Sequence, residues 1–223
     1  MSVAYDNNIH VRGFSVVTLT TPSFTIDAGS VGNRGALLCL YSPSGPSAIT
    51  GSVGGVNAVA LASATVDDVI MLYVMYVNAP PQGSQTATMS WTGSSADAQV
   101  AVVTATGVDQ STAANNGNNT DGGYTGSAVS CAITSSNGDL TITFHVESDG
   151  VAASTNRTLI TDFDIGFSVD RGPGTGTITH TWTPVGGSYN IIAGGNFKAA
   201  AGGVTVVAAP ALQRPRTLTR MPF

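Results

Sequence analysis

Residues 69–77 read VIMLYVMYV, nine positions without a polar break. Odd and even positions are equally apolar, and Val, Ile and Tyr dominate. The run is far short of the roughly 20 residues that span a bilayer, and no capped 3.6-residue stripe surrounds it. It is therefore expected to be a strand covered on both faces. Two later stretches behave differently. In LTITFHVES (140–148), Ile142, Phe144 and Val146 share one face, and Thr141, Thr143, His145 and Glu147 share the other. In DFDIGFSVD (162–170), Phe163, Ile165, Phe167 and Val169 oppose Asp162, Asp164, Ser168 and Asp170. Such one-sided alternation belongs to antiparallel sheets with a single wet face. The mixture predicts an all-β antiparallel sandwich of two sheets packed face to face.

Working outward, strand signals recur at sandwich-like spacing. They fall at 12–20, 23–26, 36–41, 56–61, 69–77, 85–91, 98–106, 127–134, 139–147, 162–169, 176–183 and 189–199. Between them lie the turn clusters SPSGPS, NAPPQGS, TGSSAD, NNGNNTDGG, SSNGD, DRGPGTG and PVGGS. There Gly, Asn and Asp supply positive φ and Pro fixes φ. Short helical turns are expected near 60–68 or 199–202. The chain has 223 residues, of which only 9% are charged, with one Lys (Lys198) and one Glu (Glu147). That composition excludes coiled coils and helical bundles, and 42% hydrophobic content excludes a disordered chain. The expected organisation is an N-terminal arm at 1–10, one sandwich domain at 11–199, and an extended Pro- and Arg-containing tail at 200–223.

Charge is informative by position. Residues 1–210 carry a net −8 and residues 211–223 a net +3, through Arg214, Arg216 and Arg220. An acidic body is a poor match for phosphate backbones, so no nucleic-acid partner is expected. No membrane span is expected either. A basic tail could instead lie against a neighbouring copy or another acidic surface. Pro210, Pro215 and Pro222 favour extended backbone there over regular structure; a frayed terminus is the alternative. The candidate partner-binding residues are Arg214, Pro215, Arg216, Arg220 and Phe223. Lys scarcity leaves sheet edges without their usual guard, so loops, arms or other subunits are expected to cover them. The start, MSVAYDNNIHVR, lacks a basic segment followed by an apolar one, which predicts synthesis in a cytosol without a secretory signal.

Residues able to carry chemistry are few. Cys39 and Cys131 sit in strand-like runs and read as two buried free thiols, or as a single bridge. His145 and Glu147 share a face near Asp149, a fragment of a metal site or an acid–base pair, but two ligands fall short of what zinc needs; a solvated face is favoured. His180, between Ile178 and Trp182, reads as a buried or interface histidine bonded to backbone. GPGTGT (172–177) opens no helix and reads as a hairpin turn, not a phosphate cradle. NNGNNTDGG (115–123) reads as a surface loop with too few acids for calcium. Asp162, Asp164 and Asp170 read as a solubilising face. Trp91 and Trp182 read as core or rim packing, with Trp91 also a candidate for stacking on sugars. No nucleophile elbow occurs, so no catalytic, metal or cofactor residue is assigned and no enzyme is expected.

RGALLCLY (34–41), VDDVIMLYVMYVNAPPQGSQTATMSWTGSSADAQVAVVTATGVDQST (66–112) and WTPVGGSYN (182–190) together resemble a recurrent β-sandwich module of tailed-bacteriophage virion proteins. The matching features are Arg34 opening a hydrophobic strand, Asn78, Pro80 and Gly83 closing another, the turn at Gly107–Gln110, and the strand of Trp182. The resemblance implies a jelly-roll or immunoglobulin-like sandwich with a structural role. Such sandwiches serve as decoration or cement proteins on the capsid, commonly as trimers. It therefore implies a virion location, with the capsid protein and further copies of this chain as partners. A tail, baseplate or fibre component binding host glycans through its loops and Trp91 is the alternative.

Overall fold

The structure, a computed structural model, describes residues 2–27, 33–67, 70–95, 97–111, 117–121, 127–147, 153–154, 157–162, 167–184 and 189–200. These contain nineteen strands and no helix. Eleven precede residue 111: β1 (Ala4–Gly13), β2 (Val16–Thr20), β3 (Phe24–Ile26), β4 (Arg34–Ser42), β5 (Ser47–Val53), β6 (Val56–Asn57), β7 (Val59–Val66), β8 (Ile70–Asn78), β9 (Gly83–Gln85), β10 (Ala87–Ser95) and β11 (Ala98–Thr106). Eight follow: β12 (Gly117–Asp121), β13 (Val129–Thr134), β14 (Leu140–Glu147), β15 (Ala153–Ser154), β16 (Thr158–Asp162), β17 (Phe167–Pro173), β18 (Thr177–Thr183) and β19 (Asn190–Phe197).

The strands form four layers. Sheet I has the order β1-β11-β4-β8-β7, and sheet II the order β2-β10-β5-β6, extended by the β3-β9 ribbon. Sheet III has the order β12-β19-β14-β17-β16 and sheet IV the order β13-β18-β15. Every ladder in sheets I and III is antiparallel. Sheets I and II make one sandwich, sheets III and IV another, and sheets I and III pack against each other between them.

Sheet I is thus apolar on both faces. From β4, Leu37, Cys39 and Tyr41 enter the core shared with sheet III, while Ala36, Leu38 and Leu40 enter the core shared with sheet II. Strand β8 divides likewise, with Leu72, Val74 and Tyr76 facing one core and Met75 and Val77 the other. The double coverage expected of 69–77 is what the structure has over 70–77. Ile142, Phe144, Val146, Phe167 and Val169 meet sheet I from the other side. The Tyr41 and Tyr189 hydroxyls bond at 2.7 Å across this seam, and the Tyr76 and Phe197 rings lie 6.2 Å apart.

Several expectations are corrected. Residues 4–10 are not an arm, because β1 pairs with β11 along its length through a bulge between Tyr5 and Asn7. The polar residues there are used: Asp6 Oδ2 accepts from the Asp27 amide and the Thr104 hydroxyl, and Asn7 Nδ2 donates to the Thr25 carbonyl. The single strand expected at 12–20 is broken at Ser15, whose φ of 55° turns the chain from sheet I to sheet II. Residues 60–66 are strand β7, not helical turn. The strand expected at 162–169 is two strands of a pair, β16 ending at Asp162 and β17 starting at Phe167. Residues 117–121, expected as loop, form β12 against β19. The turn at GPGTGT joins sheet III to sheet IV, so it crosses between layers instead of closing a hairpin. Both cysteines are buried free thiols, in different layers.

Phe197 fixes the seam between the two sandwiches, since its ring fills the space above Gly35 and beside Tyr76. Phe197→Ala is expected to cost about 3–5 kcal/mol, read as a shift of the urea midpoint. Val59→Ala, at a residue 43% exposed, should stay within about 0.5 kcal/mol.

Candidate functional site

The alternation in β14 and β17 was read correctly, but its second face is not wet. Thr141, Thr143, His145, Ser168, Asp170 and His180 are all 0% exposed. Sheet IV lies over them, contributing His180 and Trp182 from β18. The ladder places Thr141 opposite Gly172, Thr143 opposite Asp170 and His145 opposite Ser168, so two polar pairs and a Thr–Gly pair stack along one buried face.

At its centre His180 Nδ1 donates to Asp170 Oδ1 at 2.7 Å, and Nε2 lies 2.8 Å from Thr141 Oγ1. Thr141 Oγ1 is also 2.9 Å from the Gly172 carbonyl oxygen. A hydroxyl has one proton. Thr141 spends it on Gly172, so its oxygen links the His180 ring to the backbone of β17. The Thr143 hydroxyl donates to Asp170 Oδ1, and Trp182 Nε1 donates to Thr143 Oγ1 at 3.2 Å. The bonding partners of His180 are thus side chains, correcting the expectation of backbone. Burial of this face also corrects the reading of Asp170 as a solubilising residue and of His145 and Glu147 as a solvated pair.

An acid orienting an imidazole against a hydroxyl is the geometry of nucleophilic catalysis. Here it lacks access. The described residues hold an open groove of about 570 Å³ beside Val3, Tyr5, Leu140, Arg171 and Pro173, and Thr141, Asp170 and His180 do not line it. Arg171 lies over the Tyr5 ring at 4.7 Å in that groove. What the constellation can do chemically is hold sheet IV on sheet III, because each buried polar atom it satisfies removes a desolvation cost.

His145 has a separate role. Its Nε2 bonds Asn190 Oδ1, and its ring stacks on Trp182 with centroids 4.8 Å apart and planes 7° off parallel. Burial is the main cause pulling its pKa down to about 4, with Asn190 and the Asp170 charge opposing. Cys131, on the facing strand β13, has its thiol pushed up to about 12 by burial and then by Asp170.

The remaining expected site residues are scattered. Trp91 is 5% exposed in the core between sheets I and II, which withdraws it from sugar stacking. Asp162 ends β16, and Asp164 lies outside the described residues. Arg214, Pro215, Arg216, Arg220 and Phe223 also lie outside them. Among the described residues no three His, Cys, Asp or Glu are grouped to hold a metal. The Asp170–His180–Thr141 set was missed because its members come from three strands. The available signal was that TxTxHxE carries too little charge for a wet face. No family model matches the chain, and no match is found among curated proteins or solved structures.

Asp170→Asn removes the carboxylate onto which His180 Nδ1 and the Thr143 hydroxyl donate and is expected to cost about 1–3 kcal/mol, measured by urea denaturation at neutral pH. Separately, a histidine held near 4 against an ordinary 6.5 refuses a proton that the unfolded chain accepts. Its contribution is whole above about pH 6.5 and is lost as pH falls toward 4, by on the order of 3 kcal/mol. His145→Gln should remove that part of the slope in a pH series of urea midpoints.

Proposed function

We propose that the protein is a structural component of a tailed-bacteriophage virion, a decoration or cement protein that bridges major capsid protein subunits and associates with further copies of itself, with a trimer favoured. The observation that carries the reading is where the reactive side chains lie: the Asp170–His180–Thr141 set is walled in between two sheets, so the molecule offers surfaces and edges instead of a pocket built around chemistry. Among the described residues, the outer edge of sheet II at β2 is unpaired and is one such surface. Val17 is 50% exposed there, and Phe14 just before it 64%. Arg12, which bonds Asp97 through both carboxylate oxygens at 2.7 Å, stacks over Phe14 at 5.0 Å. An apolar, Lys-free edge is suited to pairing with another subunit.

The resemblance of 34–41, 66–112 and 182–190 to virion sandwich modules, jelly-roll or immunoglobulin-like, supports the same role. So does the charge split between the acidic body and the Arg214, Arg216 and Arg220 tail, which suits contact with an acidic neighbour. Many copies on one shell then sum weak contacts. In this reading the chain is made in the host cytoplasm, works in the virion, binds neither nucleic acid nor membrane, needs no cofactor and is not an enzyme. The tail or fibre alternative has lost its aromatic candidate, since Trp91 is buried.

Labelled protein counted on purified particles should match the major capsid protein in order of magnitude. A chain lacking 211–223 should fold yet fail to attach. A handful of copies at one vertex, or undiminished attachment of the truncated chain, would reject the proposal.

A further inference from the structure

Sheet IV is the least anchored layer. Among the described residues its apolar contact with sheet III comprises Val129, Cys131, Ile133, Trp182 and Ile192, against twenty-two buried residues between sheets I and III. The rest of its attachment is polar. On one flank, Asn118 Nδ2 and Thr120 Oγ1 of β12 each donate at 2.6 Å to carbonyls of β13.

In the middle of that interface His145 is poised unusually. Asn190 Nδ2 donates to the Ser127 carbonyl at 2.9 Å, which fixes the amide with Oδ1 toward His145. His145 Nε2 is therefore the donor and Nδ1 carries the lone pair. That Nδ1 is buried with no hydrogen-bond partner, and so is Oγ of its cross-strand neighbour Ser168. The titratable groups around it are Glu147 on its own strand, Asp170 on β17, His180 on β18 and Cys131 on β13; β19 contributes only the amides of Asn190 and Asn196. Asp170 already accepts from His180 and Thr143. A proton on Nδ1 would place a cation against Trp182 in a dry layer. The attraction of a cation for an indole face is smaller than the hydration it gives up.

We propose that sheet IV is an acid-released cover: protonation of His145 detaches β13, β15 and β18 from sheet III as a unit while sheets I, II and III stay folded. The inference is independent of the virion role. Release would expose Trp182, Cys131 and the Asp170–His180–Thr141 set together.

The two cysteines report on the two regions, Cys131 under sheet IV and Cys39 within sheet I. The full chain is treated with 4,4′-dithiodipyridine from about pH 7.5 to about pH 4.5, each labelling rate being divided by that of the same cysteine in the denatured chain. Protection of Cys131 should fall by roughly tenfold per pH unit once release sets in, as uptake of one proton requires, while Cys39 stays protected. Reaction of both cysteines together, or unchanged protection of Cys131 at the acid end, would overturn the proposal. His145→Gln keeps an amide donor for Asn190 and cannot take the proton, so it should flatten the Cys131 profile; an unaltered profile would also overturn it. Where that variant does not fold, the two wild-type rates decide alone.

Discussion

Strand β14 is packed on both faces by different chemistry, and the arrangement of the molecule follows from that. Its odd face, Thr141 to Glu147, is polar, and its even face, Leu140 to Val146, is apolar, yet both are covered. The apolar face joins a core with sheet I that fuses the two sandwiches into one stack. The polar face has to be satisfied from above, because burying hydroxyls, an imidazole and a carboxylate without partners would cost several kcal/mol each. Sheet IV supplies His180 and Trp182 for that purpose. The four-layer order is thus a consequence of one strand needing two unlike partners.

The same constraint sets where stability is spread. Sheets I and III meet through rings and branched side chains, including Tyr41, Tyr76, Phe144, Phe167 and Phe197. Sheet IV meets sheet III through directional bonds whose strength depends on protonation. A core of the first kind changes little with pH. A layer of the second kind is only as firm as its hydrogen bonds and the neutrality of His145 allow. The proposed role of bridging neighbours would benefit from the first kind of packing, since a rigid block transmits load without rearranging.

Much of this was legible in the sequence, in a particular way. Period-two alternation identified which residues share a face in 140–147, and the unbroken apolar run at 69–77 identified a strand covered twice. What alternation does not contain is the identity of the covering layer. Thr141, Thr143 and His145 resemble a wet face until β13 and β18 are laid over them. Boundaries failed where polar residues carry ladders. Strand β12, GNNTD, has almost no strand propensity and persists because β19 pairs with it and its Asn118 and Thr120 side chains reach β13. Strand β5 escaped notice because Gly51 and Ser52 weaken its pattern; Gly51 is small so that Met75 Sδ can approach, 3.1 Å from where a Cβ would lie. The Asp–His–Thr constellation depends on register between three strands, which no spacing along the chain encodes.

The central claim is that the chain's reactive residues are sealed at neutral pH. Deuterium exchange at the imidazole C2 position tests it on all three histidines at once, followed by NMR or mass spectrometry. His10, half-buried beside Gln99 on β1, should exchange readily, while His145 and His180 stay protonated at that carbon for far longer. Exchange of His180 at the pace of His10 would mean that solvent reaches Thr141 and Asp170, and the account of a molecule that works by touching its neighbours would give way to one with an open site.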